Sequence, residues 1–232
     1  MTAQEKRDYA VKLMKSRAKK NSYTQGSKRG YFFGYPKNTV GDSSTKGYSD
    51  CSSSVAACIK AASGIAIGGN TSAQVANRTK GLIVDESETG YPDESKLLPG
   101  DCLYFKGNTS HTLGVGHVEM YTGDNECYGH GSGTGPNKHD LKAYCKSRNT
   151  NKKRYFMAIR WILDDDETEP ESDGDKLPLN SGKWNLRAGP GTSYAVLNTV
   201  KDGDVEAIST DGWRYVWDGS RYGWISNKAV KD

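Results

Sequence analysis

Residues 164–175 of this 232-residue chain read Asp-Asp-Asp-Glu-Thr-Glu-Pro-Glu-Ser-Asp-Gly-Asp, a run with no apolar residue to place in a core. Like charges at this density repel and extend a segment, so it separates folding units rather than joining one. Charge sorts around it. Residues 1–163 hold 24 Lys and Arg against 14 Asp and Glu, a net of +10; residues 164–176 carry −7 and residues 177–232 carry +1. The sequence therefore predicts a medium domain over 1–163, an acidic linker over 164–176 and a small domain over 177–232. With 34% hydrophobic residues and a mean hydropathy of −0.77, two small cores suit the chain better than one large one.

Other classes are excluded or weakened by the same pass. No run of about 18 apolar residues occurs, so no membrane-spanning helix is expected. Residues 1–8 lack the apolar stretch of a signal peptide. Five cysteines with no disulfide-like rhythm predict reduced thiols in a cytoplasm. The basic first domain suits attraction to a polyanion such as teichoic acid or nucleic acid, with a plainly solvated surface as the alternative. No nucleic-acid module is present.

Chemistry concentrates first at Tyr48-Ser49-Asp50-Cys51-Ser52-Ser53-Ser54-Val55. Asp50 is a good helix N-cap, because its carboxylate accepts from free N–H groups of the first turn. Cys51 then falls in that first turn, where unpaired N–H groups and the helix dipole favour a thiolate. A thiolate splits acyl bonds through a covalent intermediate. The plain alternative is a small buried residue, since free cysteine packs like a hydrophobe.

A second segment, Leu113 to Gly123, has the alternation of a strand. His117, Glu119 and Tyr121 share one face; Val118 and Met120 share the other. A base on this strand can meet a nucleophile at the start of a helix packed on the sheet. His130 follows thirteen residues after His117, on the next strand-like stretch, where a third polar group can fix the imidazole. Glu119 is either a solvated strand residue, the preferred reading, or a contact for a cationic group on the substrate.

The remaining candidates carry less. Cys58 and Cys102 sit among apolar neighbours and are expected in the core. Cys127 and Cys145 lack metal-ligand partners at close spacing, and neither Cys-x-x-Cys nor His-Glu-x-x-His occurs, so no metal or cofactor is expected. His111 and His139 fall in polar segments and are expected as exposed loop histidines. Tyr31, Phe32, Phe33 and Tyr35 either wall a cleft beside Cys51 or cover the core, with Phe32 and Phe33 assigned to the core. Helices are expected over 5–17, 51–63 and 71–79, with Gly64 ending the second. Strands are expected near 101–106, 115–122, 125–129 and 155–162, an α+β pattern.

These residues resemble the NlpC/p60 cysteine peptidases: Asp-Cys-Ser-x-x-Val opening a helix (50–55), Leu-x-Pro-Gly-Asp-x-x-Tyr-Phe before a strand (97–105), Gly-His-Val-x-x-Tyr (116–121), then His130. The resemblance covers roughly residues 45–160. It implies a papain-like α+β domain that hydrolyses an amide in peptidoglycan stem peptides, usually between D-γ-glutamyl and a diamino acid. Carried over, Cys51 is the nucleophile, His117 the general base and acid, and His130 the third polar residue. Tyr48, Asp50 and Ser52 match positions lining the substrate cleft. The chain departs from the family at Ser53, where Gly is usual, and at Glu119, where a small residue is usual. The related CHAP amidases share the Cys-then-His order and leave the bond cleaved open.

The tail alternates short strands with Asp-Gly and Gly-Pro-Gly turns, the mark of a small all-β barrel. Asn-Leu-Arg-x-Gly-Pro-Gly-x-x-Tyr (185–194) and Gly-Trp-Ile-Ser (223–226) resemble the bacterial SH3-like domain, across about 178–232. That likeness implies binding to cell-wall peptide or glycan, with Tyr194, Trp213, Tyr215, Trp217 and Tyr222 as candidates for the groove. Together the two likenesses point to a wall hydrolase of the phage endolysin kind, held in a host cytoplasm until lysis, or to one exported otherwise. A non-catalytic wall-binding protein is the competing class.

Overall fold

The computed structural model describes residues 1–107 and 110–164, and beyond them the strand residues 176–178, 183–187, 196–201, 204–210, 213–217 and 222–226. Two compact units emerge, Met1–Asp165 and Asp166–Asp232.

The first unit runs α1 (Ala3–Ser16), β1 (Asn21–Tyr23), β2 (Gly47–Ser49), α2 (Cys51–Ser63), α3 (Thr71–Ala76), β3 (Leu82–Glu86), β4 (Cys102–Lys106), β5 (Val115–Gly123), β6 (Glu126–Gly129), β7 (Thr134–Gly135), β8 (Asn137–Asp140), α4 (Leu141–Arg148) and β9 (Tyr155–Arg160). Six strands form one antiparallel sheet in the order β3-β9-β4-β5-β6-β8. A small second sheet, β2-β1-β7, pairs β1 with β2 in parallel and with β7 in antiparallel. The architecture is α+β.

Strand alternation divides the core. Val118 and Met120 of β5 join Tyr104, Met157 and Ile159 against Leu13 and Met14 of α1 and Val55, Cys58 and Ile59 of α2. On the opposite face, Tyr121 joins Leu103, Phe105, Cys127 and Tyr155 against Leu141 and Cys145 of α4. Phe32 and Phe33 are buried, as their sequence suggests, and stack edge to face. Arg17 is also fully buried. Its guanidinium donates to Asn21 Oδ1 and to the carbonyls of Asp42 and Thr45, which offsets the cost of a desolvated charge.

Helix boundaries follow their caps. Thr2 and Glu5 close α1 with a reciprocal capping box. Asp50 and Ser53 do the same for α2, which ends where Gly64 adopts φ +80°, a conformation glycine enters without Cβ strain. Asn70 caps α3, which stops at Ala76; Arg78–Lys80 form a 3₁₀ turn rather than the end of one longer helix. The strands expected in the sequence are β4, β5, β6 and β9. The elements it missed, β8 and α4 above all, are short and polar, and Asn137-Lys138-His139-Asp140 contains no apolar residue to betray its strand.

The second unit is an antiparallel sheet of β10 (Lys176–Pro178), β11 (Lys183–Arg187), β12 (Val196–Lys201), β13 (Asp204–Thr210), β14 (Trp213–Trp217) and β15 (Tyr222–Ser226), in the order β10-β13-β14-β15-β11-β12. Leu186 and Ile225 are buried in it. Of the proposed groove residues, Trp213, Tyr215 and Trp217 lie on β14 and Tyr222 on β15; their side chains, and Tyr194 entirely, lie outside the described residues.

Candidate active site

Cys51 is the first residue of α2, held there by the cap. Asp50 Oδ1 accepts from the Ser53 N–H at 2.8 Å, and Ser53 Oγ accepts from the Asp50 N–H at 2.8 Å. Serine in the position where the resembled family has glycine thus completes a capping box. Caps of this kind contribute about 1 kcal/mol. As the first helical residue, Cys51 presents a backbone N–H with no intrahelical acceptor.

His117, on β5, lies within hydrogen-bonding reach of the Cys51 thiol. Its Nε2 faces Glu119 Oε1 at 2.7 Å and the Tyr144 hydroxyl at 2.9 Å, which leaves Nδ1 for the thiol. Burial alone pushes the imidazolium pKa down. The Cys51 hydrogen bond and the bond and charge of Glu119 outweigh it and raise the value to about 9. Glu119 shows the converse: burial pushes its carboxyl up, and hydrogen bonds from His117 and His139 with their charges bring it below the usual range. An anionic carboxylate therefore backs a protonated imidazole at neutral pH.

This arrangement corrects the sequence-based expectation for Glu119. It is not a solvated strand residue but fully buried, and it occupies the third position assigned to His130. Carboxylates are almost never wholly buried unless paired, so a Glu between Val118 and Met120, on the face of a histidine, was the available signal. Space for it comes from Gly129, its cross-strand neighbour in the register that pairs Met120 with Tyr128. Any Cβ at position 129 would overlap the Glu119 carboxylate.

His130 turns elsewhere. Its Nδ1 meets Ser49 Oγ at 2.8 Å, and its Nε2 faces the Gly133 carbonyl at 3.4 Å. The Gly133 carbonyl can only accept, so in the neutral ring the imidazole proton sits on Nε2 and Nδ1 accepts from the Ser49 hydroxyl, whose oxygen also accepts from Asn21. Burial lowers the His130 pKa and keeps the ring neutral. The His130 ring bonds to Ser49 and Gly133 rather than to His117, because position 130 lies just past the end of β6 and leaves the face that alternation assigns to 129.

The other expected cleft residues are placed as follows. Asp50 and Ser52 are buried at the helix start; Arg29 donates to Asp50 Oδ1 at 3.0 Å, to Ser52 Oγ at 2.8 Å and to the Gly69 carbonyl at 2.6 Å, and pairs with the Asp50 carboxylate as an ion pair. Tyr48 is half-buried, edge-on to the exposed Tyr35, with the ammonium groups of Lys28 and Lys46 over its ring. Tyr23, unremarked in the sequence, stands close enough to Cys51 and Asp50 for their charges to add to burial in raising its phenol pKa. Cys58, Cys102, Cys127 and Cys145 are fully buried, and burial pushes each thiol up. His139 is no loop histidine: it lies on β8 and its Nδ1 meets Glu119 Oε2 at 3.1 Å. The polar atoms of Glu119, Cys127 and His139 lie within 4.8 Å of one another, the spacing of a metal-binding group. Those atoms already bond among themselves and to His117, and we read the group as the support of His117.

Chemically the site offers a thiol at a helix start, an imidazole able to give and take a proton, and an anion that fixes the imidazole. Comparison with known proteins finds no matching family model and no matching curated protein. Among solved structures the chain is similar to NlpC1 from Trichomonas vaginalis, at 16% identity and a TM-score of 0.45, over 68% of this chain and 44% of that one. NlpC2 from the same organism gives 17% identity and 0.46, over 68% and 47%. The NlpC/p60 domain of the peptidoglycan hydrolase SagA gives 17% identity and 0.42, over 66% of this chain and 97% of that domain. The chain thus spans less than half the length of the two Trichomonas proteins, and the structures it is similar to are NlpC/p60 domains.

Proposed function

We propose that the chain is a peptidoglycan hydrolase of the NlpC/p60 kind, in which Cys51 cleaves a stem-peptide amide, most specifically the D-γ-glutamyl to diamino acid bond. The observation that carries this reading is the buried row Cys51–His117–Glu119, with the thiol at a helix N-terminus and the imidazole between thiol and carboxylate. The chemistry follows from the geometry. The Cys51 thiolate attacks the amide carbon, forming a C–S bond, while the Cys51 N–H donates to the developing oxyanion. His117 gives its proton to the departing amine as the C–N bond breaks. Water then adds to the thioester, His117 accepts its proton, and the C–S bond breaks to release the acid. Glu119 keeps the imidazole oriented and its proton on Nε2 throughout.

Tyr48, Asp50 and Ser52 flank the nucleophile in this reading and line the substrate cleft. The second unit serves as an SH3-like wall-binding module, which raises local substrate concentration through avidity. Its backbone sheet and its Asn-Leu-Arg-x-Gly-Pro-Gly motif support that role.

The test is mass spectrometry of purified peptidoglycan digested with wild type and with Cys51→Ala. New D-glutamyl carboxyl ends, present only with wild type, are the expected result. Intact stem peptides freed from glycan would make the enzyme an amidase on the same machinery. No new ends from several wall chemotypes would overturn the hydrolase reading in favour of a wall-binding protein.

A further inference from the structure

We propose that His139, stacked on Tyr144, is a positioning residue of the catalytic centre: it holds the Glu119 carboxylate in the orientation that accepts the Nε2 proton of His117. The proposal rests on the Cys51–His117 reading above and extends it by one residue.

The sheet makes the contact possible in an unusual way. Glu119 is on β5 and His139 on β8, and β6 lies between them. A bond across an intervening strand needs that strand to withhold a side chain. Gly129 does so, beside Glu119, while the next inward position on β6, Cys127, pairs with His139 in register. The Glu119 carboxylate fills the gap and divides its oxygens, Oε1 at 2.7 Å from His117 and Oε2 at 3.1 Å from His139. Turning the carboxylate to improve one bond lengthens the other, so the two imidazoles fix its angle together.

Tyr144 closes the figure. Its ring stacks on His139 at 4.3 Å and 13°, and its hydroxyl lies 2.9 Å from His117 Nε2. An ionised carboxylate only accepts, so His139 Nδ1 carries the proton and donates. The groups facing His139 are Glu119 from β5, Cys127 from β6 and Tyr144 from α4, with the Arg148 guanidinium 5.4 Å over the Tyr144 ring. Glu119 has no access to water, whereas the His139 side chain is 29% exposed, so His139 is the outer end of the row. A wholly buried anion stays ionised only while its donors are in place. Removing one favours the neutral acid, which releases His117.

The experiment uses the full chain and three variants, His139→Leu, His139→Asn and Tyr144→Phe. The chain has four histidines, so side-chain nitrogen NMR follows the His117 titration without substrate. With His139→Leu the His117 midpoint should fall from about 9, and kcat on a soluble stem peptide should drop about tenfold or more with KM unchanged. His139→Asn, which keeps a donor near the Nδ1 position, should recover most of both. A His139→Leu protein with the wild-type midpoint and kcat overturns the proposal. If that variant does not fold, Tyr144→Phe carries the test: it must lower the midpoint, and an unchanged midpoint overturns the proposal. A midpoint that responds in an enzyme cleaving no wall peptide would sink the functional reading and leave the relay standing.

Discussion

His117 and His130 are both buried histidines near the start of α2, and they end in opposite states. His117 has a carboxylate on one nitrogen and a thiol on the other, and its pKa rises to about 9. His130 has a hydroxyl on one nitrogen and a carbonyl beyond the other, and burial lowers its pKa. Burial disfavours the charged ring in both cases. What separates them is whether an anion bonds the ring directly: Glu119 does so for His117, whereas the charges of Asp50 and Glu119 reach His130 only from a distance and do not offset its burial. In the proposed mechanism the first pocket moves protons and the second holds structure. Through Ser49 and Asn21 the neutral ring joins β2, β1 and the Gly133 turn into one hydrogen-bonded unit beneath the nucleophile.

The largest effect that could break this comparison is at Glu119. Glu119→Gln keeps the shape and removes the charge. It should lower kcat by roughly 10²–10⁴-fold, and the alkaline limb of kcat/KM, set near pH 9 by loss of the His117 proton, should move to lower pH. An unshifted limb would show that the carboxylate does not control His117.

The two histidines also impose opposite pH dependences on stability. His117 is raised above its unfolded value of about 6.5, so its contribution is fully present below that pH and lost as pH rises through about 9. The span corresponds to on the order of 3 kcal/mol. His130 is lowered, so its contribution is present above about pH 6.5 and lost as pH falls below it. Thermal melts from pH 5 to 9.5 should show both slopes; His117→Ala should flatten the alkaline one alone and His130→Gln the acidic one alone.

His130→Ala should cost about 2 kcal/mol of stability by stranding Ser49 and Gly133, while kcat, read on the folded fraction, stays within a few-fold of wild type. A collapse of kcat with unchanged stability would return His130 to the catalytic row. The smallest effect is expected from Ser49→Ala, about 1 kcal/mol, with the His117 titration unmoved. Denaturant unfolding and the imidazole NMR signals measure both variants.

Much of the site was legible in the sequence where its determinants are local. Asp50 as cap, Cys51 in the first turn, Gly64 as terminator and His117 sharing a strand face with Glu119 all follow from spacings of a few residues. The strands rich in apolar residues were legible for the same reason. The polar strand β8 and the two-turn helix α4 were not, because their apolar content is too low to show a period. With them went His139 and Tyr144, which stand 20 and 27 residues from the groups they touch.

By itself the sequence determined that a thiol would sit at a helix start and that an imidazole and a carboxylate would share one strand face. Helix capping and the two-residue period of a strand are set by neighbouring residues. Only the tertiary structure decided which polar group takes the second nitrogen of His117. That choice depends on strand register, which places Gly129 beside Glu119 and Cys127 beside His139, and on the desolvation that makes an unpaired buried charge too costly to keep.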